Sequence, residues 1–161
     1  MELTWINLAD TAIKIGLGAL ITGISGYLVI RKNHDFETYK IKTELAVKNV
    51  EDKKLKFIEF LAQSQSLVQN YMYETYDPKG DDFKSFLRVY NEIQVVSSSM
   101  VRHAAYELHI AVYEFIQRNK NHDGTETEIA VLKELKDNVN NKLGIFQGIV
   151  NQQITEAYEK I

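Results

Sequence analysis

Residues 5–30, WINLADTAIKIGLGALITGISGYLVI, contain no charged residue after Lys14 and determine how the rest of the chain is interpreted. A helix that crosses the hydrocarbon core of a bilayer needs about 20 mostly apolar residues. Trp5 and Tyr27 stand near the two ends, where amphipathic rings prefer the headgroup layer. The segment therefore predicts a transmembrane helix within residues 1–32. A secretory signal peptide fits less well because no small-x-small cleavage site precedes Arg31, whereas a buried core helix stays open.

Basic residues lie on the carboxyl side of this segment. Arg31, Lys32, Lys40 and Lys42 follow it, whereas no lysine or arginine precedes Lys14, which lies inside it. Loops rich in lysine and arginine stay in the cytoplasm. We therefore expect a single-pass protein whose carboxyl-terminal domain, residues 33–161, is cytoplasmic.

Polar residues recur through the apolar segment at intervals of four and three, which places them on one face of a helix. They are Asn7, Thr11, Lys14, Gly18, Thr22 and Ser25. Asp10 and Lys14 are four residues apart and can pair, which matters because each charge costs roughly 2.5–3.5 kcal/mol at mid-helix in a bilayer. We interpret Asn7, Thr11, Lys14, Thr22 and Ser25 as candidate pore-lining residues.

A second stripe at the same spacing consists of small residues. Its members are Ala12, Gly16, Ala19, Gly23 and Gly26. Small residues at this spacing let helix backbones approach closely in lipid. The two stripes predict a homo-oligomer in which the polar faces meet in a packed bundle or around a water-filled channel. Simple dimerisation through the glycines is equally compatible with the pattern.

The remainder of the chain predicts an all-α fold, with three or four antiparallel helices following the transmembrane helix. Turn formers at residues 77–81 and 119–125 separate the helices, Ser97–Ser99 marks a bend or break, and Asp35 is a possible helix restart. We expect the first helix of this domain to pack into the core through a series of apolar residues, with Phe57 and Phe60 beside them. That series is Leu55, Ile58, Leu61, Val68 and Met72. A final helix is expected from about Glu126 to the end of the chain.

Composition and motifs exclude several functions. A net charge of −3 argues against a chain dominated by nucleic-acid binding, and the absence of cysteine excludes disulfides and thiolate metal sites. The sequence has no glycine-rich phosphate loop, no His-Glu-x-x-His motif and no nucleophile elbow. We expect no metal ion and no small-molecule cofactor.

One group of residues is a candidate for catalysis, in the stretch RHAAYELH at residues 102–109. Arg102 and His109 are seven residues apart, two helical turns, and project from the same face of a helix. Arginine binds phosphate with two parallel hydrogen bonds, and histidine transfers protons near neutral pH. Together they match what metal-independent RNA cleavage needs, a base for the 2′-hydroxyl and a cation for the developing charge. A bundle helix with a surface arginine and a tucked histidine is the structural alternative. His103 and Glu107, four apart, can also pair.

The Arg102–His109 spacing resembles the motif of HEPN domains, in which four to six residues separate an arginine from a histidine and a polar residue such as His103 follows the arginine. HEPN domains are helical bundles with this motif on a late helix. A short chain with an amino-terminal membrane helix and such a bundle resembles the small membrane accessory proteins of type VI-B CRISPR systems.

That resemblance implies a ring-shaped homo-oligomer in the bacterial inner membrane that strengthens antiphage defence by permeabilising or depolarising the membrane. It also implies an RNA-guided effector or RNA as partner, and a structural or regulatory rather than a cleaving role for Arg102 and His109; His103 stays the third candidate catalytic residue. A membrane-tethered ribonuclease and a helical membrane adaptor are the alternatives.

Overall fold

The computed structural model describes residues 2–72, 80–120 and 125–161, without the side chains of residues 2–4, 6 and 11. These residues form four α-helices and no strand. The helices are α1 (Glu2–Asn70), α2 (Asp81–Val96), α3 (Ser99–Lys120) and α4 (Glu126–Tyr158). The prediction of an all-helical chain is therefore confirmed for the described residues.

The starts of two helices differ in their local hydrogen bonds. α2 starts after Gly80, which provides no side-chain cap, and inside the first turn the carboxylate of Asp82 accepts a hydrogen bond from the Phe83 backbone N–H at 2.7 Å. α4 starts at the predicted place, where the Thr125 hydroxyl oxygen accepts from the Glu128 backbone N–H. The chain passes through Asp35 without interruption, so the suggested helix restart there was wrong.

The chain divides into two compact units, residues 1–45 and 46–161. The first unit is the amino-terminal part of α1, and its apolar stretch is long and apolar enough to cross a membrane. None of that stretch is buried in the structure. The second unit contains the rest of α1 together with α2, α3 and α4.

The second unit is an up-and-down bundle, as cross-helix pairs show. Residue numbers rise on one helix as they fall on the next in each set of pairs. Between α1 and α2 the pairs are Lys56–Glu92 and Gln63–Ser85, and Tyr71, just after α1, pairs with Asp82. Between α3 and α4 they are Glu107–Lys142 and Arg118–Glu128, and Ser98, just before α3, pairs with Gln153. These directions confirm an antiparallel helical bundle.

Four phenylalanine rings occupy the centre of the bundle. Phe60 is fully buried, stacks on Phe86 with ring centroids 5.3 Å apart, and meets Phe146 edge-on at the same distance. Phe57 meets Phe146 edge-on at 6.1 Å. Such aromatic pairs contribute roughly 0.5–1.5 kcal/mol each beyond the area they bury. Three helices, α1, α2 and α4, are thereby joined through one aromatic cluster.

The core face of α1 matches the expected one only in part: Val68 of the predicted series is buried and Leu61 packs against the core. Leu55 and Ile58 are more than half exposed, whereas Phe57, Phe60 and Leu67 are buried. Both rows of residues have helical spacing, so local pattern did not distinguish them. The phenylalanine row faces inwards because Phe86 and Phe146 lie on that side.

The predicted bend at the serines is a true break between two helices. α2 ends at Val96 and α3 begins at Ser99. The Ser97 backbone N–H donates to the Ile93 carbonyl, and the Ser98 hydroxyl donates to the Gln153 side chain at 2.7 Å. The turn is thus held to α4, and it sets the position of the first residues of α3, including Arg102.

Candidate functional site

The first unit of the structure presents three different faces on one helix. At about 100° per residue, the polar positions Asn7, Lys14, Gly18, Thr22 and Ser25 fall within a sector of about 80°. The small residues Ala12, Gly16, Ala19, Gly23 and Gly26 occupy a second sector, centred about a third of a turn away. Large apolar residues fill a third: Ile13, Leu17, Leu20, Ile21, Ile24 and Leu28. Thr11 belongs to the polar register, but its side chain lies outside the described residues.

The charged pair in this helix is formed. The ammonium nitrogen of Lys14 lies 2.6 Å from a carboxylate oxygen of Asp10, and both side chains are more than half exposed. The expected pairing of these two residues is confirmed. Pairing lowers the cost of placing either charge in a low-dielectric medium, where an isolated ion is poorly tolerated.

Hydroxyl groups on the polar face differ in how they are satisfied. The Thr22 hydroxyl donates to the Gly18 carbonyl at 2.8 Å, which uses its hydrogen inside the helix. Its oxygen keeps acceptor capacity directed outwards. Ser25 is exposed and has no hydrogen-bond partner within the described part of the chain. In lipid such a group needs water or another helix as partner.

The glycines on the small face are not required by packing inside the chain. A Cβ placed on Gly16, Gly23 or Gly26 would meet no atom of the described residues within 4 Å. Glycine is also a poor helix former, less favourable than alanine by roughly 0.8–1.0 kcal/mol per residue. A packing role for these residues therefore requires contact with another molecule.

The second candidate site lies on α3, where the structure puts Arg102 and His109 in different environments. Arg102 is exposed, and its backbone carbonyl accepts a hydrogen bond from the Gln94 side chain at 3.1 Å. His109 is half-buried beneath α2. The rise between the two along the helix is about 10 Å, and no hydrogen bond joins them in the described structure.

The His109 ring lies against two aromatic rings of α2. It stacks on Tyr90 at 4.5 Å and on Phe86 at 5.6 Å. Its Nδ1 atom is buried and has no hydrogen-bond partner among the described residues. Burial lowers the pKa of His109 below its ordinary value of 6.5, so the ring is neutral at pH 7. A neutral imidazole can accept a proton, but the Nδ1 atom is closed to solvent in this structure.

The other suggested pair on α3 is replaced by a contact to α4. Glu107 accepts a hydrogen bond from the Lys142 ammonium group at 3.0 Å rather than from His103, which is exposed. The hydrogen bond and the charge of Lys142 hold the pKa of Glu107 below its ordinary value, with His103 a smaller contributor. Within the described ranges no three His, Cys, Asp or Glu side chains group together as metal ligands.

The residues that sequence reasoning missed are the partners of His109. Phe86 and Tyr90 are four apart on α2, and this spacing signals that they share a face. Nothing in the local sequence indicates that this face meets His109, because the contact joins residues on different helices.

The fold and site define a class: an all-helical protein that combines one candidate membrane-spanning helix with an antiparallel four-helix bundle. Among the described residues, the three faces of residues 5–30 are its most distinctive surface. No protein-family model, curated protein or solved structure matches the chain.

Proposed function

We propose that the chain is a single-span membrane protein that associates with itself through residues 5–30 and permeabilises the membrane along its joined polar faces. The observation that carries the proposal is a helix with polar, small and large apolar faces, none of which is buried among the residues that the structure describes. Arg31 and Lys32 support a cytoplasmic location for the bundle, because basic residues prefer that side of a membrane.

Self-association is favoured by the polar face. If each helix stood alone in lipid, Lys14 and Ser25 of the polar face would face hydrocarbon. Insertion experiments give lower costs than simulations, and even they assign roughly 2.5–3.5 kcal/mol to a charged side chain in the middle of a membrane helix. Joining the polar faces of several copies removes these groups from lipid and lets water or neighbouring helices satisfy them.

A ring fits the three faces better than a pair joined through the glycines. In a glycine-joined dimer the small faces are used up and both polar faces stay in lipid. In a ring, the polar face points to the axis and the small face of one helix receives the large side chains of its neighbour. Such head-to-tail contacts close into rings when the rotation between copies allows it.

The test is ion leak from liposomes that contain the full-length protein. Replacing Thr22 or Ser25 by leucine narrows the proposed channel between the polar faces and removes a hydroxyl group, and we expect the ion leak to fall. Ile21→Leu on the large apolar face is the matched control and should leak like the parent. A parent without leak, or equal leak in all variants, would refute permeabilisation.

Particle mass in nanodiscs tests self-association separately. Gly23→Ile adds a branched side chain where a single chain has open space, so any effect arises between copies. We expect it to lower the oligomer mass, whereas the control Ile24→Leu should not. A parent that runs as a monomer contradicts the proposal.

The resemblance of residues 102–109 to the HEPN motif supports a more specific setting, as an accessory to an RNA-guided antiphage system in the bacterial inner membrane. In that setting co-expression with an RNA-targeting effector should increase both leak and phage resistance. Cleavage of RNA by the purified protein, lost in His109→Ala, would instead favour the ribonuclease alternative.

A further inference from the structure

Two aromatic residues beyond the apolar segment are not covered by any part of the chain that the structure describes. Phe36 and Tyr39 lie within α1, in the first unit of the chain, and their side chains are 67% and 63% exposed. Eight of the eighteen residues 31–48 are charged, so this stretch does not enter a bilayer core. Large aromatic side chains left in water at this spacing mark an interaction surface.

The two rings lie on a defined side of the helix. Phe36 follows Gly18 by eighteen residues, which is five turns at 3.6 residues per turn, so it shares the side of the polar face. Val29, Lys32, Phe36, Tyr39 and Thr43 continue that side at alternating intervals of three and four. This alternation is the spacing of the two core positions of a coiled coil.

Charged residues flank this seam in a complementary way. Asp35 immediately precedes Phe36, and Lys40 immediately follows Tyr39. These are the two positions that face each other across a parallel coiled coil and set partner choice. Lys40 also approaches Glu44 within its own helix at 3.8 Å, a loose pair with both side chains about two-thirds exposed, which leaves Lys40 able to reach another chain.

We propose that Phe36 and Tyr39 pack against the same residues of a second copy in a parallel, in-register contact, with Asp35 of one chain facing Lys40 of the other. This inference rests on the proposed function, because copies inserted in one orientation hold equal residues at equal depth. A second copy therefore supplies both the aromatic surface and the opposite charges that the seam presents. The contact continues the joined polar faces beyond the membrane.

The absence of cysteine from the chain permits a direct test in the full-length protein. Single cysteines are introduced as Phe36→Cys or Tyr39→Cys on the seam, and as Thr38→Cys or Ile41→Cys as controls that point away from it. All four sites are exposed, so the variants should fold. Under mild oxidation in liposomes we expect dimer cross-links at the seam about tenfold faster than at the controls, since neighbours are held at high effective concentration.

Charge exchange tests the orientation of the contact. In the Tyr39→Cys background, Lys40→Glu places two acids opposite each other and should slow cross-linking about two- to fivefold. Adding Asp35→Lys should restore the rate. A rate that stays low in the combined variant would attribute the effect to Glu44 in the same helix and overturn the Asp35–Lys40 contact.

The outcomes separate this inference from the proposed function. Equal cross-linking at all four sites in a protein that leaks overturns the seam and leaves permeabilisation standing. Seam-selective cross-links in a protein that does not leak support the contact and refute permeabilisation. If the rings lie on the bilayer surface instead, a fluorophore at position 36 or 39 will be quenched by spin-labelled lipid and no cross-link will form, which also overturns the inference.

Discussion

The replacement His109→Phe should stabilise the bundle and remove part of its sensitivity to acid. His109 lies between the rings of Tyr90 and Phe86, with a buried Nδ1 that has no partner within the described residues. A buried polar group without a partner costs roughly 1–3 kcal/mol. Because the ring is only half-buried, we expect the variant to gain about 1–2 kcal/mol while the aromatic stacking is retained.

The pH dependence has a definite sign. Burial lowers the pKa of His109 in the folded protein, so the unfolded chain binds this proton first as the pH falls below about 6.5. Stability contributed by the neutral ring is therefore present above that value and is lost as the pH falls towards the folded pKa. The slope cannot exceed about 1.4 kcal/mol per pH unit for one proton. His109→Phe removes this slope.

The assay is guanidinium unfolding of the full-length protein in detergent, followed by circular dichroism at pH 7.5 and pH 5.5. The difference between parent and variant isolates His109 from carboxylates that titrate in both. His103→Gln, which changes an exposed histidine on the same helix, is the control and should change neither stability nor its pH dependence. A variant that is less stable than the parent, or equally sensitive to acid, would refute the reasoning.

Two further predictions concern the bundle. Phe60→Ala should lower the free energy of unfolding by about 3–5 kcal/mol, because it empties the centre of the aromatic cluster. Phe36→Ala, at an exposed site, is the control and should leave the free energy of unfolding nearly unchanged. Equal effects of the two replacements in urea unfolding would contradict the assigned core. The hydrogen bond from Lys56 is the main cause that lowers the pKa of Glu92, so the stability it contributes is present above the unfolded pKa and is lost as the pH falls through the folded pKa. Glu92→Gln should therefore show a shallower loss of stability between neutral and acidic pH in the same assay, and an unchanged profile would contradict the role of the pair.

RNA cleavage at the HEPN-like motif, residues 102–109, stays a prediction. The structure shows that Arg102 is exposed and His109 is half-buried, and the spacing of the two residues on α3 could not distinguish these environments. Sequence placed both residues on one helix face because helical geometry is periodic. Burial of one of them depends on α2, whose approach is set by the turn at Ser97 and Ser98.

The core register of α1 shows the same limit. Leu55 and Ile58 form an apolar row, and Phe57 and Phe60 form another on a neighbouring face. Both rows satisfy the helical period, so the sequence of α1 alone allowed either one to face inwards. Phe86 and Phe146, distant in sequence, determine which row is buried.

The sequence by itself determined the features that depend on neighbouring residues. These are the apolar segment at residues 5–30, the pairing of Asp10 with Lys14, the start of α4 after Thr125 and the all-helical class of the described residues. Only the tertiary structure decided the inward face of α1, the aromatic contacts of His109 and the choice of Lys142 as partner of Glu107. The reason is physical: capping and periodicity act within about one helical turn, whereas burial and pairing depend on residues that folding brings together from distant parts of the chain.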